Sequence, residues 1–161
     1  MRRNDRCITD TSDILAIMKS CDVCSLAFYD EGFPYIIPLN FGVEEKEGEF
    51  VLYFHCAAEG KKLELLKANN QVAFEMNCSH KLRLAEVACN SSMDFESVCG
   101  NGWLETLTAE KKMRALGFLM RQYTRKEEHS FSQADLEEVT VLRLKVNEIT
   151  GKRLKPMAKP E

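Results

Sequence analysis

Phe50-Val51-Leu52-Tyr53-Phe54-His55-Cys56-Ala57-Ala58-Glu59-Gly60-Lys61-Lys62-Leu63 passes from an unbroken apolar run, through small residues and a glycine, to a pair of lysines. The apolar run reads as a buried strand. The lysines open a pattern typical of a helix, so the segment predicts strand, turn and helix in immediate succession. A helix that starts this way presents free backbone N–H groups and the positive end of its dipole at one point. Lys61 and Lys62 add two full charges there, which suits a phosphate better than a carboxylate. An ordinary β–turn–α connection with solvated lysines would have the same sequence, so this stretch alone leaves both readings open.

Upstream, Thr9-Asp10-Thr11-Ser12 offers N-caps for a helix over 10–20, with Ile14, Ile17 and Met18 on its apolar face. Alternation predicts a strand over 24–28, and Tyr29-Asp30-Glu31-Gly32 a turn. A partner strand over 33–41 carries Pro34 and Pro38, which implies an edge or an interrupted ladder. A charged turn over 44–48 leads into the strand over 49–55, and a helix over 61–69 follows with Leu63 and Leu66 inward. Downstream, Val72, Phe74 and Met76 share one face of a strand over 71–78. A further strand over 93–99 is expected to close at Gly100-Asn101-Gly102. A second helix starts near Thr108, with Met113, Leu116, Met120 and Tyr123 as its inner stripe. In the last strand Leu142, Leu144 and Val146 alternate with Arg143, Lys145 and Asn147, giving one buried and one polar face. No repeat or linker divides the chain. Residues 1–150 are therefore expected to form one domain, and 151–161 a basic, mobile tail.

Six or seven strands in mostly hairpin-like succession, with few helices, predict a mainly β (α+β) domain built as an antiparallel barrel. No βαβ alternation and no Gly-x-Gly-x-x-Gly run is present, which argues against a Rossmann fold. The 161 residues, 45% apolar and 29% charged, are ordinary for a globular chain. The net charge of -3 gives no general attraction to nucleic acid or anionic membrane. No apolar run approaches the roughly 20 residues of a membrane span, and Met1-Arg2-Arg3-Asn4-Asp5-Arg6 is not followed by the apolar core of a secretory signal. The expected compartment is the cytoplasm. The seven cysteines are accordingly read as reduced thiols. Cys21 and Cys24 have the spacing of a zinc or redox pair, but no second pair accompanies them, so no metal site is expected.

Several segments, taken in order, carry a resemblance. They are Arg2 to Arg6 with Ile8-Thr9, and Gly32-Phe33-Pro34-Tyr35-Ile36-Ile37-Pro38-Leu39-Asn40-Phe41-Gly42. Next come Leu52-Tyr53-Phe54-His55 through Gly60-Lys61-Lys62, then Phe95-Glu96-Ser97-Val98, and finally Val146-Asn147-Glu148-Ile149-Thr150-Gly151-Lys152. Together they resemble the pyridoxamine 5'-phosphate oxidase-like, FMN-binding split-barrel superfamily, and within it the nitroimidazole-resistance (Nim-type) flavoproteins.

That resemblance implies an antiparallel split β-barrel with a few peripheral helices. It also implies a homodimer with a flavin site at the interface, holding FMN, with FAD as the alternative. By position, Lys61 and Lys62 would hold the phosphate, with His55 and Ala57 beside it. Pro38, Leu39, Asn40 and Phe41 would flank the ring, and Ser97 would reach the flavin from the partner subunit. His55 is the candidate proton donor or substrate-positioning group, although a strand-end histidine is as readily a hydrogen-bonded structural residue. Glu59 opposes a phosphate and is left out of the site. Trp103 and Phe95 are read as core or interface, and Tyr123 as helix core.

The activity implied is that of a flavin-dependent oxidoreductase. Electrons from NAD(P)H or another donor would pass by way of the flavin to a small acceptor, with a nitroaromatic such as a nitroimidazole as candidate. Three alternatives stand beside it: a non-catalytic flavin-binding or storage module, a pyridoxamine phosphate oxidase, and a split barrel that binds haem or a deazaflavin-like cofactor. The oxidase would need further cations for its substrate's own phosphate, and Lys152 and Arg153 are the candidates.

Overall fold

The structure, a computed structural model, describes residues 4–124, 126 and 129–154. Its elements in chain order are β1 (Cys7–Ile8), α1 (Thr11–Lys19), β2 (Cys24–Phe28), β3 (Tyr35–Leu39), β4 (Phe41–Lys46), β5 (Glu49–Cys56), α2 (Lys61–Ala68) and β6 (Gln71–Arg83). They continue with β7 (Ser92–Thr106), α3 (Ala109–Tyr123), α4 (Gln133–Glu138) and β8 (Thr140–Leu154). No helix among the described residues is long and apolar enough to cross a membrane.

Eight strands form one antiparallel sheet in the order β3-β2-β6-β7-β8-β5-β4, with β1 added beside β8. β3 and β4 lie at opposite margins of that path, yet a single residue, Asn40, joins them. The sheet must therefore curl until its two margins meet at Asn40, leaving a seam there without ladder pairing. This is a split barrel. The proline-bearing stretch is thus interrupted, as expected, and Pro38 sits on a marginal strand opposite Ser25.

Alternation fills the barrel. Cys24, Leu26 and Phe28 of β2, Val72, Phe74 and Met76 of β6, and Leu142 and Leu144 of β8 all point inward and are buried. Ile14, Ile17 and Met18 of α1 join the same core. The unbroken run in β5 has its own cause. Phe50, Leu52 and Phe54 face the barrel interior, while Tyr53 belongs to a second cluster with Leu107, Ala115, Leu116, Leu136 and Val141 beneath α3 and α4. A strand covered on both faces has no reason to alternate.

Four expectations are corrected. Gly100-Asn101-Gly102 is not a turn, because β7 runs through it for fifteen residues. A Cβ on Gly102 would lie 2.1 Å from the Lys145 carbonyl oxygen, and one on Gly100 2.4 Å from that of Glu148. These glycines mark close backbone approach beside a bulge. Residues 151–154 are not tail but the end of β8, paired with β7 and β1, and Gly151 is buried against Ile8. Positions 155–161 of the expected tail lie outside the described residues. β6 continues past Cys78 to Arg83 through an irregularity between Cys78 and Lys81. On α3 the buried face is Ala115, Leu116 and Leu119, while Met113 and Tyr123 stand in solvent. Its pattern is shifted because α3 packs on β4 and β5 and not on the barrel interior.

Candidate functional site

The corner between β5 and α2 assembles four of the expected site residues by chain continuity alone. Gly60 caps α2 with φ 133°, a backbone conformation that side-chain-bearing residues rarely adopt, and no side chain among the described residues caps the first turn. The leading N–H groups of the helix are therefore free of side-chain capping, and a Cβ on Gly60 would meet open space. Lys61 is exposed and Lys62 half-buried, while His55 and Ala57 lie exposed at the end of the strand. His55 stands opposite Val141 of β8. Burial pushes the Cys56 thiol pKa up, and the charge of Lys62 opposes that shift.

Two residues that sequence reading missed complete this corner. Asp30, in the turn after β2, pairs with the Lys61 ammonium at 2.5 Å, and the Tyr35 ring lies 5.2 Å below the same group. The hydrogen bond to Asp30 is the main reason the Lys61 pKa is raised. The Tyr29-Asp30-Glu31-Gly32 turn was legible, but nothing local says that its acid meets a helix thirty residues on.

The β3–β4 junction is held by a compact hydrogen-bond knot. Asn40 Nδ2 donates to the Asp22 carbonyl at 3.1 Å. The Tyr123 hydroxyl donates to the same carbonyl at 2.8 Å and accepts the Phe41 N–H at 2.9 Å. Phe41 itself is fully buried opposite Phe54, Leu39 packs on the core, and Pro38 is exposed. Tyr123, expected as helix core, instead works through its hydroxyl with a half-exposed ring. The segment therefore offers Pro38 and the backbone before Asn40 to a ligand, whereas the Phe41 N–H is already engaged.

Ser97 is not brought to this corner. It pairs with Asn77 and Lys152, whereas His55 pairs with Val141, eleven residues earlier on β8. At about 3.3 Å per residue these positions are separated by roughly 36 Å along the strand. In one subunit Ser97 cannot share a ligand with Lys61 and Lys62.

Other polar features lie elsewhere. A groove of about 620 Å³ between the β4–β5 hairpin and α3 is lined by Glu44, Tyr53, Arg114 and Arg143 among others. There the Tyr53 hydroxyl donates to Glu44 at 2.6 Å, and burial together with that carboxylate pushes its pKa up to about 12. None of the expected site residues lines this groove. Arg153 is committed to structure: it donates to the buried Glu96 at 2.5 Å and approaches Asp13 at 3.4 Å.

Comparison with known proteins places the chain. The family described as pyridoxamine 5'-phosphate oxidase matches residues 10–153. A candidate 5-nitroimidazole antibiotic resistance protein from Bacteroides thetaiotaomicron is 36% identical, over 91% of this chain and 86% of that one, with a TM-score of 0.78. An FAD and haem binding protein from Mycobacterium smegmatis shares the fold at 17% identity, over 97% of this chain and 77% of that one, with a TM-score of 0.81. A flavocytochrome from Azotobacter vinelandii does so at 19% identity, over 100% of this chain and 75% of that one, with a TM-score of 0.80. No curated protein sequence matches. A family match that runs from α1 to the end of β8, on a barrel open at Asn40, identifies this chain as a member of the pyridoxamine 5'-phosphate oxidase family.

Proposed function

We propose that this protein is a flavin-binding oxidoreductase that takes FMN and acts as a homodimer. In this reading, electrons from NAD(P)H or another donor reach a small acceptor, with a nitroaromatic as the first candidate. The observation that carries the proposal is the α2 N-terminus. Uncapped N–H groups, Lys61 and Lys62 converge there at the end of a barrel strand, a donor set that fits a phosphate dianion. The relative from Bacteroides thetaiotaomicron, described as a candidate 5-nitroimidazole resistance protein, supplies the acceptor class.

The roles of the residues follow from their placement. Asp30 and Tyr35 hold the Lys61 ammonium at the corner before any ligand arrives. Pro38 and the backbone of Leu39 supply a short wall on the marginal strand, kept in position by the knot at Asn40, Phe41 and Tyr123. His55 is exposed at the end of β5, six residues before Lys61 in the chain, where an imidazole can hold or release a proton to an acceptor. When bound, the flavin supplies the electron transfer itself.

A second subunit enters because one chain leaves the site unfinished. Ser97 is too far away to serve its own corner. Across the sheet, Ile36, Ala27, Ala73, Asn101 and Glu148 lie in one paired row. Ile36 and Trp103 stand exposed on strands of that same sheet. A row of mostly short side chains flanked by exposed apolar ones suits docking against a second copy, which would bring its Ser97 to this site. A pyridoxamine phosphate oxidase reading fares less well, since Arg153 is tied to Glu96 and Asp13.

The test begins with the visible spectrum of the purified protein after FMN is added and unbound cofactor washed away. Retained flavin in a dimer-sized species is expected, and the released cofactor's mass separates FMN from FAD. Changing Lys61 and Lys62 together to alanine should weaken FMN binding on the order of tenfold or more per lysine. Unchanged affinity in the double variant would show that the phosphate lies elsewhere. Anaerobic reduction by NADH or NADPH, followed by a nitroimidazole, then separates an enzyme from a storage module. Reoxidation by the nitro compound is the enzyme's signature.

A further inference from the structure

Two thiols with no part in the flavin reading meet just beyond α1. Cys21 is buried, and its Sγ donates to the Ile17 carbonyl at 3.2 Å. Cys78, on β6, directs its Sγ at the same carbonyl oxygen from 3.9 Å. Burial, and then the neighbouring Cys78 thiol, push the Cys21 pKa up. One backbone acceptor thus gathers two sulfurs from positions 21 and 78. Cys24 is buried at the start of β2, but no group of His, Cys, Asp or Glu among the described residues has the makings of a metal site. The pair therefore points to thiol chemistry.

Cys78 sits where the barrel wall turns irregular. Val72, Phe74 and Met76 precede it as fully inward residues of β6, and the register with β7 then slips between Cys78 and Lys81. Ser79, at the slip, has φ 60°, a left-handed conformation uncommon for a residue with a side chain. It is held there by its Oγ, which donates to Glu96 at 2.8 Å and lies 3.6 Å from Cys78 Sγ. Bulges re-aim side chains, and this one leaves Cys78 half-buried at a cavity of about 440 Å³ that it shares with Ser20, Asp22, Glu75, Asn77 and His80. A small molecule can reach Cys78 from solvent. Cys21, 2% exposed, lies behind it.

We propose that Cys78 and Cys21 form a reversible disulfide in response to hydroperoxides, with Cys78 as the attacked thiol and Cys21 as the resolving one. The Cys78 sulfur attacks the peroxide, forming an S–O bond as the O–O bond breaks. This gives a sulfenic acid and an alcohol, or water when the oxidant is hydrogen peroxide. The Cys21 sulfur then attacks Cys78, forming the S–S bond as the S–O bond breaks. The departing oxygen leaves as water with the Cys21 proton. Overall the two thiols lose two electrons and two protons, and a dithiol reductant reverses the change. His80 and Glu75 line the same cavity, so the Cys78 proton has acceptors within the pocket when the sulfur attacks. Once formed, the bridge would pin the end of α1 to β6.

The full-length protein, reduced and freed of reductant, is exposed to a few equivalents of hydrogen peroxide, alkylated, digested without reductant and read by mass spectrometry. One dominant cross-link joining the Cys21 and Cys78 peptides, two hydrogens lighter than their sum and abolished by dithiothreitol, is expected. In C21S, Cys78 should persist as a sulfenic acid that dimedone captures. A bridge from Cys21 to Cys24 would overturn the proposal. So would oxidation confined to the exposed Cys89 and Cys99 while Cys78 remains a free thiol.

Discussion

Gly42→Ala and Gly117→Ala add the same methyl group, one where α3 crosses β4 and one on α3 away from that crossing, and the structure requires opposite outcomes. Gly42 lies in β4 where α3 crosses it. A Cβ there would fall 2.4 Å from the Leu119 nitrogen, 2.5 Å from the Phe118 carbonyl carbon and 2.6 Å from the Leu119 Cα. All three are backbone atoms, so no side chain can swing aside, and the helix must retreat by about 1 Å to reach ordinary contact. Overpacking of this kind costs about 1–3 kcal/mol, partly offset by the roughly 0.4–1 kcal/mol that losing a glycine removes from unfolded-state freedom. Gly117 is on α3 itself. Among the described residues its added Cβ would meet just the Arg121 guanidinium, at 3.6 Å. There alanine contributes about 0.8–1 kcal/mol of helix propensity with no clash. At roughly 2–4 °C per kcal/mol for a domain of this size, Gly117→Ala should melt about 2–4 °C higher and Gly42→Ala several degrees lower. Calorimetry with parallel urea unfolding reads both. A Gly42→Ala protein that melts with the wild type would refute the argument that this glycine exists to let α3 approach β4. Because α3 also carries Tyr123, retreat of the helix should loosen the Phe41 knot and weaken FMN retention as well.

Two further changes test the polar framework. Tyr123→Phe removes the hydroxyl that serves both the Phe41 N–H and the Asp22 carbonyl, and should cost about 1 kcal/mol in urea unfolding, since water can reach the half-exposed site; no loss would mean the knot is incidental. Tyr53 favours its neutral form, because burial and then the Glu44 carboxylate raise its pKa to about 12. Its contribution to stability is therefore complete below the ordinary tyrosine pKa of about 10 and is lost as pH rises from there toward 12. A phenolate absorbance titration of wild type minus Tyr53→Phe should show a midpoint near 12, and one near 10 would remove the Glu44 contact from the account.

The alternating strands, and the corner that is local in the chain, are legible in the amino-acid sequence. Leu26, Phe74 and Leu144 declare their faces at a period of two, and Gly60-Lys61-Lys62 declares a charged helix start, because these properties depend only on neighbours along the backbone. Tertiary structure alone decided the rest. Gly100 and Gly102 look like a turn until the Lys145 and Glu148 carbonyls arrive beside them from β8. Asn40 looks like any loop residue until both margins of the barrel meet there. The partner of Lys61 is Asp30, that of the Phe41 N–H is Tyr123, and Cys21 and Cys78 meet at the Ile17 carbonyl. Each of these pairs is set by where an antiparallel sheet folds back on itself, and that register arises from packing across the whole barrel, not from any local run of residues.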